Sequence, residues 1–319
     1  MTVAEAPDAV LVAGPTASGK SDWALQLADR VPAEIISVDS AQVYRGFDIG
    51  SAKPSPALRR ALPHHLVDIR DPEQAYSAGD FVEDALAAIA AIRGRGRLPL
   101  LVGGTMLYFH ALVHGMAALP RADVALRRDI DEQAARVGWP ALHAELVAVD
   151  PQSAARIHPN DAQRIQRALE VVRVSGRPIS DWQRDTAPAH ALRLQRWALV
   201  PTDRERLGTR IAQRFDQMIE AGFVDEVRGL QARPGLSPTA PSLRAVGYRQ
   251  LWEHAAGREA LPAAIERARA ATRQLARRQL TWIRSDPGWT GVDPFGPAAR
   301  ESWLGHVLAT LRQRGPESP

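Results

Sequence analysis

Short runs of consecutive apolar residues alternate along this chain with stretches in which apolar side chains return every three or four positions. Val10–Ala13 (VLVA), Glu34–Val38 and Leu98–Val102 (LPLLV) are of the first kind and predict buried parallel strands. Ser21–Arg30, with Trp23 and Leu27 at helical spacing, and Phe81–Ile92, closed by Gly94 and Gly96, predict helices between them. Strands alternating with helices imply an α/β sheet with right-handed crossovers. The pattern changes near Gly115. From there to about Ala191 helical segments follow without a convincing strand, and Asn160–Ser175, opened by an N-cap residue and stopped by Gly176, is the clearest of them. Leu192–Val200 predicts a further strand, and Thr202–Glu205, a T-x-x-E capping box, opens a helix running to Gly222. The expected organisation is an α/β core over residues 1–114 and 192–319, interrupted by a helical insertion domain over residues 115–191. The C-terminal GPESP is expected to fray.

The first predicted strand runs into GPTASGKS, residues 14–21, which matches G-x-x-x-x-G-K-[ST] between a strand and a helix. Glycines there let backbone N–H groups approach phosphate oxygens, and the helix N-terminus adds positive potential. Lys20 neutralises charge, and the Ser21 hydroxyl can ligate Mg²⁺. The core is therefore expected to be a P-loop NTPase-like parallel sheet that binds a diphosphate or triphosphate. A nucleotide hydrolase also needs an acid at the end of a core strand. Leu98–Val102 ends instead in Gly103-Gly104-Thr105, whereas Glu34–Val38 ends in Asp39. A carboxylate there faces the ligand crevice and can serve as a general base; the plainer reading is a turn or N-cap aspartate. Gly103–Thr105 likewise reads either as part of the site or as a strand-to-helix turn with a capping threonine. His64-His65 lacks partners at metal-ligand spacing and reads as a structural pair.

Composition narrows the class. With no cysteine in 319 residues, disulfides and thiolate zinc sites are excluded. The opening MTVAEAPDAV has neither a basic region nor a long apolar run, and no stretch approaches a membrane span, so a soluble, cytoplasmic protein is expected; a monomer is expected as well. The net charge of +4 is modest, so its distribution matters more than its total. Of 40 basic residues only Lys20 and Lys53 are lysines, which suggests that a compact ammonium is required at position 20. Along Ile265–Arg284 the arginines at 269, 273, 277 and 284 share a face, with Ile265, Ala268, Leu275 and Trp282 on another. Glu266 is the only acid there, so this predicts a helix packed by its apolar stripe and offering a basic one to phosphates. In the insertion, Arg164 and Arg167 share a face beside Gln163, opposite Ile165, Leu169 and Val172.

Six blocks, GPTASGKS, SVDSAQVYRGFDIGSAKP, LLVGGTMLY, HPNDAQRIQRALEV, RAVGYRQ and ATRQLARRQLTW, occur in that order between residue 10 and about residue 284. Together they resemble the tRNA dimethylallyltransferases, also called tRNA isopentenyltransferases. The resemblance implies transfer of a dimethylallyl group from its diphosphate to the exocyclic amine of the adenosine just 3′ of the anticodon, in tRNAs reading codons that begin with U. It implies a diphosphate site of Gly14, Pro15, Thr16, Ala17, Ser18, Gly19, Lys20 and Ser21, faced by Arg214. Asp39 falls on the family's general base, Thr105 on its channel threonine, and Arg127 on a further catalytic position. Contacts to tRNA fall on Asp39, Ser40, Ala41 and Gln42; on Gln163, Arg164, Ile165, Gln166 and Arg167; on Arg244, Gly247 and Arg249; and on Arg273, Gln274, Arg277 and Arg278. The implied partners are tRNA, through its anticodon stem-loop, and dimethylallyl diphosphate, with Mg²⁺ as cofactor. Eukaryotic members carry a C-terminal zinc finger; this cysteine-free chain has none and resembles the bacterial form.

Three other classes use parts of the same sequence. A small-molecule P-loop kinase would use Asp39 on an acceptor hydroxyl, but lacks a Mg²⁺ carboxylate after Val102 and has no need of the arginine-rich C-terminal region. An isopentenyltransferase acting on free adenine nucleotides would not need the insertion with its QRIQR run. A non-catalytic RNA-binding protein leaves the phosphate loop and Asp39 without a role.

Overall fold

A computed structural model describes residues 6–184, 186, 188 and 190–312. The C-terminal GPESP, expected to fray, lies outside the described residues. The chain divides into two compact units, one of Met1–Phe109 with Ala191–Pro319 and one of His110–His190.

In the first unit β1 (Ala9–Ala13), β2 (Ala33–Val38), β3 (His64–His65) and β4 (Leu98–Gly103) alternate with α1 (Lys20–Ala28), α2 (Pro56–Ala61) and α3 (Ala78–Gly94). Strands β1, β2 and β4 are buried at every position, which explains their unbroken apolar sequence: helices cover both faces of the sheet. Even the acid in β2 is buried; Glu34 holds His65 Nε2 at 2.6 Å and is gripped by Arg95 through two hydrogen bonds. The His64-His65 pair is thus part of the sheet, and no acid–histidine cluster able to hold a metal occurs among the described residues. Helix α4 (Met106–His114) follows β4.

The second unit contains α5 (Val124–Val137), α6 (Trp139–Val149), α7 (Pro151–Ala154), α8 (Ala162–Ser175) and α9 (Ile179–Arg184). It has its own core, in which Ile130, Leu142, Leu146, Ile165 and Leu169 are each almost fully buried. Helix α8 starts at Asp161 rather than Asn160: the Asp161 side chain accepts the Arg164 N–H at 3.2 Å. A carboxylate in that position meets both the free N–H groups and the positive end of the helix dipole, so it displaces the neutral asparagine.

The chain then re-enters the first unit as β5 (Leu194–Leu199), α10 (Arg204–Glu220), α11 (Phe223–Gln231), α12 (Tyr248–Ala255), α13 (Leu261–Ser285), β6 (Thr290–Val292) and α14 (Ala299–Arg312). The cap of α10 is corrected in the same way. Asp203 accepts the Arg206 N–H at 2.8 Å, while the Thr202 hydroxyl bonds to Asp293. All strands are parallel, in the order β3-β2-β4-β1-β5-β6. Trp23 of α1 and Trp303 of α14, 5.3 Å apart, anchor the core cluster that includes Val10, Val12 and Leu199.

This order reverses the direction of winding at β1, so the carboxyl ends of β1, β2 and β4 open onto one crevice. The phosphate loop follows β1, Asp39 follows β2, and Gly103–Thr105 closes β4. The strands meet tightly there. A Cβ on Gly103 would lie 2.0 Å from the Val38 carbonyl oxygen, which also accepts the Gly104 and Thr105 N–H groups at 3.2 and 3.1 Å. Gly103→Ala is therefore expected to destabilise the protein by about 2–3 kcal/mol, since backbone must move to admit the methyl group. Equilibrium urea unfolding of the variant checks this; an unchanged midpoint would contradict the crowding.

Candidate active site

The phosphate loop is held in shape before any ligand arrives. Gly19 adopts φ 93° as the N-cap of α1, and Ala17 takes a left-handed φ of 62°. The Ala17 carbonyl accepts Arg210 Nε of α10 at 2.9 Å, which fixes that turn from outside. The Pro15 carbonyl accepts the Ser18 N–H at 3.2 Å and the Lys20 ammonium at 3.3 Å, and the Thr16 N–H bonds to Gln279 Oε1 at 3.0 Å. Gly14 packs under Leu199 and Ser18, where a Cβ would meet the Ser18 hydroxyl at 2.8 Å. That hydroxyl is buried with no partner, a polar atom left for a ligand or water inside the loop. Ser21 is exposed at the loop's end.

These groups face a cavity of about 780 Å³ whose lining includes Lys20, Asp39, Thr105, Arg214, Arg278 and Trp282. Burial pushes the Lys20 ammonium down to about 8; Arg214 adds to the depression and Asp39 opposes it. Burial also lowers Arg214, with Asp39 again opposing and Arg210 reinforcing. Two half-buried cations that line one cavity, with Arg214 depressing the Lys20 pKa, are the electrostatic signature of an anion site. A smaller cavity of about 330 Å³ shares Lys20, Ser21 and Arg214 and is also lined by Arg210.

Asp39 takes the turn conformation that its position allowed. Its Oδ1 accepts the N–H groups of Ala41 at 2.9 Å and Gln42 at 3.4 Å, an Asx turn. Its other oxygen makes no hydrogen bond among the described residues, so one oxygen stays unengaged while the carboxylate is held in place. The Thr105 Oγ1 accepts the Ser40 N–H at 3.0 Å and lies 3.4 Å from the Ser40 hydroxyl. Asp39, Ser40 and Thr105 therefore form one rigid corner of the cavity.

Several positions expected to contact RNA have different surroundings from those anticipated. The Gln42 amide is fully engaged, accepting Ser37 Oγ at 2.8 Å and donating to the Ser51 and Ala52 carbonyls, so it braces the cavity wall. Gly247 is buried at φ 93°, and a Cβ there would meet the Phe223 ring at 2.9 Å; it shapes the turn between exposed Arg244 and Arg249. Ile165 is fully buried in the core of the second unit, so its side chain is not an RNA contact. It sits on the apolar face of α8, which the periodicity had already marked. In that unit buried Glu170 grips Arg127 at 2.9 and 3.0 Å and Arg167 at 2.6 Å, and Gln166 bonds to Asp131 at 2.6 Å. Gln163 and Arg164 are exposed.

The basic face of α13 is shorter than its spacing suggested. Arg269 is paired with Asp216 of α10 as well as with Glu266, and the partner from another helix could not be seen in the segment itself. Arg273, Gln274, Arg277 and Arg278 are exposed. Trp282, expected on the packed stripe, is 38% exposed and lines the cavity. The packed stripe runs instead through Ala264, Ala268, Ala276, Gln279, Leu280 and Ile283. Gln279 falls inside the Arg273–Leu280 stretch that the family resemblance assigned to tRNA contact but was not singled out, and Arg210 was passed over. A glutamine in register with buried alanines was the available signal for the first; nothing local marked the second.

The depressed Lys20 pKa sets a test. Below about pH 8 the ammonium is charged in both folded and unfolded chains, and the folded state bears its desolvation cost. Between about 8 and the ordinary value of 10.5 the unfolded chain holds the extra proton, so stability rises with pH through that window. Lys20→Met is expected to raise the melting temperature of the ligand-free protein at pH 7 by a few degrees, in a gap that narrows as pH approaches 10. Paired melting curves across this range check it; a gap that does not change with pH would contradict it.

The chain matches the family model described as IPP transferase over residues 42–286, and that described as isopentenyl transferase over residues 7–70. It is 56% identical to the tRNA dimethylallyltransferase of Thiobacillus denitrificans, covering 90% of this chain and 92% of that one. To that of Methylococcus capsulatus it is 51% identical over 98% and 100% of the two chains. Among solved structures it is similar to the full-length tRNA isopentenylpyrophosphate transferase of Bacillus halodurans, with a TM-score of 0.69 and 36% identity over 95% of this chain and 96% of that one. A eukaryotic dimethylallyltransferase described as acting on tRNA matches with a TM-score of 0.79 and 26% identity, over 97% of this chain and 81% of that one. The phosphate loop, the Asp39 corner and likeness along nearly the whole chain lead to one conclusion: the chain belongs to the tRNA dimethylallyltransferase family.

Proposed function

We propose that this protein transfers a dimethylallyl group from dimethylallyl diphosphate to the exocyclic N6 amine of the adenosine 3′-adjacent to the anticodon, in tRNAs reading codons that begin with U. Diphosphate is released. The observation that carries this reading is a single cavity with a cationic phosphate cradle and, at the end of β2, a fixed carboxylate with one oxygen unengaged.

In this reading the donor's diphosphate lies against the loop N–H groups, with Lys20 and Arg214 beside it. The bond between the allylic carbon and the diphosphate oxygen breaks as the bond from N6 to that carbon forms, and N6 passes its proton to Asp39. An adenine amine is a weak nucleophile because its lone pair is delocalised into the ring, so removing the proton as the bond forms lowers the barrier. The leaving diphosphate gains charge against preorganised cations and amides, which stabilise it without reorganisation. The Thr105 hydroxyl, beside Ser40, can donate to the departing oxygen. Ser21 and the neighbouring Asp22 would hold Mg²⁺. With no acid cluster among the described residues, these groups suit the ion only where donor phosphate oxygens complete its shell, a usual arrangement for Mg²⁺. Bound there, Mg²⁺ would supply further charge neutralisation to the diphosphate.

The target base is stacked in its loop, and extruding it costs a few kcal/mol. Arg273, Arg277 and Arg278 on α13, with Arg244 and Arg249, offer the phosphate contacts that offset this cost. In the second unit, exposed Gln163 and Arg164 suit the anticodon stem-loop. Incubation with labelled dimethylallyl diphosphate and either tRNA, AMP or ATP tests the reading: label is expected on tRNA alone. Label on AMP or ATP would make the protein a free-nucleotide enzyme.

Asp39→Asn is expected to slow single-turnover transfer by about 10²–10⁴-fold while donor and tRNA affinities hold, the usual range for a general base. A near-normal rate would remove Asp39 from the mechanism. Arg273→Ala with Arg277→Ala is expected to weaken tRNA binding and flatten its dependence on salt, each lost contact changing the log–log slope by about 0.7–0.9. Filter binding across a salt series reads this directly, and an unchanged slope would make these arginines a solvated surface.

A further inference from the structure

Gln279 lies on the buried stripe of α13, where its neighbours along the helix are Ala276, Leu280 and Ile283, and it is only 7% exposed. A primary amide in that position has to satisfy both ends, and it does so across three elements. Its Oε1 accepts the Thr16 N–H of the phosphate loop at 3.0 Å, and its Nε2 donates to the Gly104 carbonyl at 2.8 Å. The amide's orientation is unambiguous, because an N–H must meet oxygen and a carbonyl must meet NH₂. Gly104 accommodates the bridge: a Cβ there would sit 2.4 Å from Gln279 Nε2. One rigid group therefore spans from the loop that holds the leaving diphosphate to the turn that holds Thr105 and, through Ser40, the Asp39 corner. One residue away on the same helix, Arg278 lines the cavity, while Arg277 is exposed.

We propose that Gln279 is a positioning residue that sets the separation between the phosphate loop and the Thr105 turn, so that the rate of transfer depends on it and tRNA affinity does not. This rests on the prenyl-transfer reading above. A misplacement of about 1 Å between reacting groups costs about 10²-fold in rate, and loss of this bridge frees both loops to shift by that order.

Two variants separate positioning from simple packing. Gln279→Glu keeps the shape, but when ionised it sets a carboxylate oxygen against the Gly104 carbonyl; when protonated it restores both hydrogen bonds. Gln279→Leu can restore neither. At pH 8 both are expected to slow single-turnover transfer by about 10²-fold, with tRNA affinity in filter binding within about twofold of wild type. Between pH 8 and pH 6 the rate of Gln279→Glu, relative to wild type, is expected to recover by up to about tenfold per pH unit as the glutamic acid protonates, while Gln279→Leu stays flat. Burial at this position disfavours the carboxylate and raises the glutamic acid pKa from its ordinary value of about 4.3 into this range. Should the leucine variant fail to fold, the pH profile of the glutamate variant decides alone. A flat profile for Gln279→Glu, or a loss of tRNA affinity that matches the loss of rate, would overturn the proposal. A wild-type protein that transfers no label to tRNA would instead overturn the functional reading beneath it.

Discussion

The Val38 carbonyl oxygen accepts the Gly104 and Thr105 N–H groups at 3.2 and 3.1 Å, and that close approach decides where the halves of the site meet. It is possible only because residue 103 has no side chain to place between β2 and β4. Once the two strand ends are this close, Asp39 and Thr105 share a corner through the Ser40 N–H, and the corner faces the phosphate loop across one cavity. Preorganisation of this kind lets weak groups work. The Asp39 carboxylate and the Thr105 hydroxyl are held by the backbone around them, so neither has to move to face the cavity.

The two lysines of a chain with 38 arginines follow the same electrostatic logic. Lys20 bonds back to the Pro15 carbonyl inside the loop. Lys53 is almost wholly buried and donates to the Tyr44 carbonyl and to Asp48 and Asp68 at 2.8, 2.7 and 2.5 Å. At Lys53 three acceptors converge on one compact ammonium, a geometry that a planar guanidinium does not match. Lys53 holds the chain near Tyr44, which lines the same cavity, so the second lysine supports the wall of the site that the first one serves.

Helix α13 joins the phosphate-loop side of the cavity to its exposed basic face. Its buried stripe reaches the phosphate loop through Gln279, Arg278 and Trp282 line the cavity, and Arg273 and Arg277 are exposed. Helix α10 acts from another side through Arg210 on the Ala17 carbonyl, and its Asp216 takes Arg269 out of the basic face. Both helices follow the second unit in the chain, about 190 or more residues after the loop that they brace.

The parallel strands, the phosphate loop and the candidate base were legible in sequence because each is encoded by neighbours: an unbroken apolar run, a fixed glycine spacing, an acid at a strand end. Helices α8 and α10 were legible too, with caps misplaced by one residue because aspartate competes better than asparagine or threonine for the same free N–H groups. What depended on tertiary structure was the environment of individual polar side chains. Whether Arg269 is free, whether Gln42 and Gln279 face ligand or backbone, and whether Trp282 is packed all turn on partners distant in the chain, and periodicity along one helix carries no information about what the next helix brings. The depressed Lys20 pKa has the same origin, since desolvation and the approach of Arg214 exist only once α10 has folded over the loop.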